Sequence, residues 1–178
     1  MSSFSIQDVD ADAEDVFVKL AASNGSLGGV NLGAVTATTD GFGDLVLTGP
    51  VADLNAYFLG NNISYVPDGN VTGADSIAVS INDGGNTGTG GGSDIPLGNI
   101  PVTINSLNDD PIASGLPTTL TASEDIQATL DVANIIISDV DAGAGDLTVA
   151  FTSSNGTISI VGGAGVTVGG TGSVGTLT

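Results

Sequence analysis

One feature constrains this chain before any other: a long internal repeat that is out of phase with the chain. Residues 8–27, DVDADAEDVFVKLAASNGSL, align without a gap on residues 139–158, DVDAGAGDLTVAFTSSNGTI, at a constant offset of 131. Ten of the twenty positions are identical, and Val16/Leu147, Ser26/Thr157 and Leu27/Ile158 are conservative pairs. A period of 131 within 178 residues holds one unit and a fraction. Residues 1–109 therefore read as a repeat lacking its opening strand, and residues 110–178 as the opening part of a second repeat. The joint is the polar, Pro-terminated stretch from Ser106 to Pro111.

Glycine supplies 28 residues and the apolar types 40% of the chain, mostly Val, Ile, Leu and Ala. Many β-branched residues punctuated by glycine describe an all-β protein with tight turns. Apolar runs and period-2 patterns predict strands at 15–21, 44–48, 62–66, 76–81, 99–105, 118–121, 127–131, 146–152 and 157–161. Asn24-Gly25 and Asn155-Gly156 read as type I′ hairpin turns. The stretch Val51–Leu59 reads as a single helical turn or short helix with Pro50 in its first turn. The run Asp83–Ser93, DGGNTGTGGGS, reads as a flexible loop.

Charge narrows the function classes. Lys19 is the sole cation against 20 acids, 18 of them Asp, for a net charge of −19. One cation cannot neutralise a phosphate backbone or an anionic bilayer surface, which removes nucleic acid and membrane surfaces as partners. With no His and no Cys, catalytic triads, thiolate zinc sites and disulfides are also gone. The longest apolar runs, such as Ile135–Ile137, fall far short of the ~20 residues of a spanning helix. Met1–Phe4 lacks the pattern of a signal peptide and reads as the start of a piece of a longer protein. A chain this acidic repels itself unless a cation binds. Asp carboxylates and main-chain carbonyls are hard oxygen donors, which suit Ca²⁺.

The acids are not scattered evenly. Asp8-Val9-Asp10 and Asp139-Val140-Asp141 hold the same place in both copies. In an extended segment residues i and i+2 share a face, so each pair is a partial Ca²⁺ shell or else a solvated Asx-turn. Asn108-Asp109-Asp110-Pro111 is either a ligand-bearing linker or an ordinary polar one. Ser123-Glu124-Asp125 and Asn82-Asp83-Gly84-Gly85 are similar short acidic turns. Lys19 beside an Asn or Asp also raises a covalent amide staple, although Ala150 stands at its place in the second copy.

Taken in order, these pieces resemble the cadherin-like tandem repeats of large bacterial RTX-type and surface adhesins. The family's "NDxP" linker, early "ED", strand-opening "DVDA" and late "DGG" stand here as Asn108–Pro111, Glu124-Asp125, Asp139–Ala142 (with Asp8–Ala11) and Asp83–Gly85. The resemblance implies a cadherin/immunoglobulin-like β-sandwich, one nearly complete and one partial, with Ca²⁺ between modules. It also implies the ligands. Asn108, Asp109 and Asp110 would join Asp139 and Asp141 at one junction. Asp8, Asp10 and Asp83 would serve the junction before it, and Glu124 or Asp125 the one after.

The expectation is a secreted or cell-surface extender in cell adhesion and biofilm, rigidified by Ca²⁺ and contacting its neighbouring repeats. It is not expected to be an enzyme. The alternative is a carbohydrate- or protein-binding adhesion module of the same fold, for which two Tyr and five Phe are few. The unpaired edge left by the missing strand also predicts strand-swapped self-association, or fold-back, with residues 112–135 as donor.

Overall fold

Alternation places the first strand. In Asp15–Ala22 (β1), Val16, Val18 and Leu20 are buried while Asp15 and Phe17 face outward. A computed structural model gives the placement of residues 5–9, 11, 13–86, 92–169 and 174–177. The chain divides into two compact units, Met1–Leu107 and Asn108–Thr178. Its sheets are antiparallel, and the protein is mostly β with a single helix among the described residues.

Unit 1 contains a five-stranded sheet in the order β3-β4-β1-β6-β7. Its other members are Thr36–Thr39 (β3), Leu45–Pro50 (β4), Gly73–Asn82 (β6) and Ile95–Ile104 (β7). β1 is central, with Val18 paired to Leu47 on one side and to Ile81 on the other. A second sheet pairs Gly25–Gly29 (β2) with Ile63–Pro67 (β5). The helix Val51–Phe58 (α1) begins directly after Pro50, which stands extended as its N-cap. Leu54 and Tyr57 on α1 join Val16, Val18, Leu20, Leu27, Leu45, Leu47, Ile77 and Val79 in one core. The Tyr57 hydroxyl accepts the Val30 N–H and donates to the Asn62 carbonyl, each at 3.1 Å, so the buried ring leaves no polar atom stranded.

Unit 2 is different. Ile112–Ser114 (β8) pairs with Ile136–Ser138 (β9). Val149–Thr152 (β10), Val168–Gly169 (β11) and Val174–Leu177 (β12) form a sheet in the order β10-β12-β11. None of its residues of described burial is buried, whereas unit 1 holds every buried residue among them. The second copy of the repeat keeps the inward alternation at Leu147, Val149, Phe151 and Ile158, but these are only half-buried. Their counterparts Val16, Val18, Leu20 and Leu27 are at 8% exposure or less.

Three expectations need correction. Asn24-Gly25 is not a hairpin turn: β1 and β2 lie in different sheets, and neither residue takes positive φ. The Asp75 carboxylate binds the Asn24 N–H and side-chain amide, while the Asn24 carbonyl accepts the Asp68 N–H. Those bonds steer the chain across to the second sheet. At Asn155-Gly156 only Gly156 has positive φ, and β10 pairs with the distant β12. The strands expected at 118–121, 127–131 and 157–161 do not form: those segments join no described ladder, and Ile158 holds a single bridge position. The strand expected at 146–152 contracts to β10.

β7 in turn starts earlier than expected, at Ile95. Pro96 and Pro101 lack a donor, which an edge strand tolerates. Between Val79 and Ser80 the register slips by one residue of β7, and Gly98 takes φ 128° at that bulge. No helix of the described residues is long and apolar enough to cross a membrane.

Candidate functional site

Buried pins set the first acidic turn. Ile6 and Ala11 are 4% and 1% exposed, on either side of Asp8. The Ile6 N–H donates to Asn55 Oδ1 at 2.8 Å, and Asn55 Nδ2 returns a bond to the Ile6 carbonyl at 2.9 Å. The turn is thus clasped to α1. Within it Asp8 Oδ1 accepts the Ala11 N–H at 3.1 Å, while Val9 stands 92% exposed. Asp10, the second acid of this pair, lies outside the described residues.

The second copy repeats the bond at the same offset. Asp139 Oδ1 accepts the Ala142 N–H at 2.9 Å and the Asp141 N–H at 2.8 Å. β8 and β9 bring the linker to it. Their register pairs Ile112 with Ser138, and continuing that antiparallel count sets Asp109 across from Asp141. The Asp109 N–H does donate to Asp141 Oδ2. Asp110 follows directly, and Asn108 Nδ2 turns back onto the Asp109 carbonyl at 2.8 Å. Linker and acidic pair, 32 residues apart in sequence, meet within unit 2.

Asp83 does a local job. Its Oδ1 accepts the N–H groups of Gly85 at 3.0 Å and Gly92 at 3.1 Å. Those two bonds, Gly85 first, hold its carboxyl below the usual carboxylate range. Asn86 in the same loop donates to the Asp15 carbonyl at 2.8 Å, so Asp83 stands near the start of β1. The rest of the glycine-rich loop, residues 87–91, lies outside the described residues. Glu124 and Asp125 form an exposed turn closed by the Ile126 N–H on the Ser123 carbonyl, with Asp125 at φ 62°. Among the described residues no three acids converge as a ready-made metal shell. The fold links Asp109 to Asp141 and Asp141 to Asp139 through backbone N–H groups, without bringing the three carboxylates together.

Lys19 is held as an ion. Its Nζ lies 2.9 Å from Asp44 Oδ2 and 3.0 Å from Asp40 Oδ2, with the Phe42 ring centroid 5.7 Å away. Hydrogen bonds to Asp44, then Asp40, raise its pKa. The Phe42 N–H and then Lys19 lower that of Asp40. An amide staple needs a neutral amine and a protonated acid, and this geometry favours the opposite charge states.

The sequence motifs missed the clamp around Asp75, an acid 8% exposed. The Tyr65 hydroxyl donates to Asp75 Oδ2 at 2.7 Å, the first cause of that acid's lowered pKa. The signal was present, since Asp75 is in period-2 register with Ile77 and Val79. Desolvation, followed by the bond to Asp75, pushes Tyr65 up to about 12 from 10.0. The native state thus holds the phenol proton more tightly than the unfolded chain does. That contribution is complete below pH 10 and lost as pH rises through about 12. Lys19 and Tyr57, also raised, lose stability in the same alkaline range, so urea denaturation is expected to show a loss across this window that is smaller in Tyr65→Phe; an unchanged loss in the variant would place its cause in the other two.

Against these features, no family model, curated protein or solved structure matches this chain.

Proposed function

We propose that this chain is a Ca²⁺-stabilised structural repeat of cadherin/immunoglobulin-like sandwich type, an extender within a secreted or surface-anchored bacterial adhesin. The observation that carries the reading is the Asp109 N–H on the Asp141 carboxylate. It sets Asp109 against the second acidic pair, which supports reading residues 108–111 as a ligand-bearing linker. The donor set fits in kind: carboxylate and amide oxygens from Asn108, Asp109, Asp110, Asp139 and Asp141 are hard ligands suited to Ca²⁺. The first copy makes the same turn at Asp8.

The role is conformational and not catalytic. A bound ion supplies positive charge where a −19 chain has almost none. The chain's own part is to hold the linker on the turn through β8 and β9, so that neutralising the carboxylates stiffens that connection.

Melting with Ca²⁺ and with chelator tests the reading. A site specific to the native state adds about 2.7 kcal/mol at 100-fold excess over Kd. Asp139→Ala or Asp141→Ala should remove most of that gain, and Asp53→Ala or Asp68→Ala little of it. Equal losses in all four would mean diffuse counter-ion binding, and no gain at all would reduce the motifs to solvated turns.

A further inference from the structure

The larger sheet of unit 1 is wider than what covers it. β5 pairs with β2 along one edge and has no described strand along the other. Beside it opens a groove of 120 Å³ lined by Leu20, Phe58, Ile63, Val79 and Ile100, one residue from each of five elements. Ile100 remains 47% exposed there.

Unit 2 offers the converse. No strand forms between Gly115 and Ile135, and Leu116 and Leu120 are 61% and 52% exposed. In the repeat register this stretch stands directly ahead of Asp139. Leu116, Thr118, Leu120 and Ala122 would share one face of a strand, with Pro117, Thr119 and Thr121 on the other. Pro117 is tolerated on an outer edge. Charge also matters. Residues 112–123 carry none, and neither do β5 or β7. Pairing through them joins uncharged parts of two strongly acidic molecules.

We infer that residues 116–122 of one copy add as a strand, in a second copy, to the edge of β5 that no described strand occupies, with Leu120 entering the groove. This is edge-strand addition, in which main-chain bonds bind and alternate side chains select. β8, paired to β9, tethers the donor strand to its own unit.

The chain has no cysteine, so single cysteines report pairing cleanly. Ser64→Cys, on the exposed face of β5, is mixed with one Cys variant at each of positions 118–121 and oxidised. Unlike dimers are expected, strongest at 119 and 121, whose side chains share the outer face with Ser64. Light scattering of the intact chain should rise above 17.2 kDa with concentration, more so at high salt, where repulsion is screened. Leu120→Asp should hold it at the monomer mass. A constant 17.2 kDa mass without unlike dimers would overturn the proposal. So would cross-links found only inside a doubly substituted chain, or equal cross-linking by a Gly163→Cys control.

Discussion

Leu54→Ala is expected to lower the stability of unit 1 by about 2–5 kcal/mol, the range for emptying a fully buried leucine site. Leu54 is 0% exposed and stands on α1 among Leu45, Leu47 and Tyr57, where a rigid antiparallel sheet backs the cavity. Leu59, one residue past the helix and 78% exposed, is the matched control; its replacement by Ala should change stability by no more than about 0.5 kcal/mol. Urea denaturation followed by circular dichroism decides the matter. Similar small effects at both positions would mean that α1 is not part of the core.

Gly115→Ala should be as damaging to unit 2, for a different reason. Gly115 takes φ 71°, a left-handed conformation that costs other residues about 1–3 kcal/mol. A Cβ there would also overlap the Asn134 carbonyl oxygen. Unit 2 has no buried residue to offset such a loss among those described. The expected result is melting of the β8–β9 ladder and, with it, separation of Asp109 from Asp141. Amide exchange at Asp109 and Ala113 would accelerate, and any Ca²⁺-dependent gain in melting temperature would disappear. Retention of both would show that β8 and β9 do not position the acidic turn.

The parts of the fold legible in the sequence were those with a strong local pattern. β1, β4, β5 and β6 lie where Val, Leu and Ile alternate or run, and α1 follows Pro50 as its composition suggested. The failures share a cause. Residues 118–121, 127–131 and 157–161 have strand-like composition, but a strand also needs a partner, and local pattern does not say whether one is present. Asn24-Gly25 failed because Asp75, fifty-one residues away, redirects the chain. For the candidate site the sequence exposed the equivalence of Asp8 and Asp139, which the matching turn bonds now give in geometry. It could not expose the clasp of Asn55 on Ile6, since one asparagine in a helix carries no distinguishing pattern.

That clasp has a mechanical consequence. Tension drawn along the backbone from Ile6 toward β1 reaches its two hydrogen bonds to Asn55 before it reaches the β1 ladder. Those two bonds and the burial of Ile6 and Ala11 yield at lower force than β1, which six register pairs hold on each flank. Under load the Asp8 turn should therefore peel from α1 first, letting out a short slack length while the sheet stays whole. Unit 1 would then behave as a spring with a soft first step and a stiff second one.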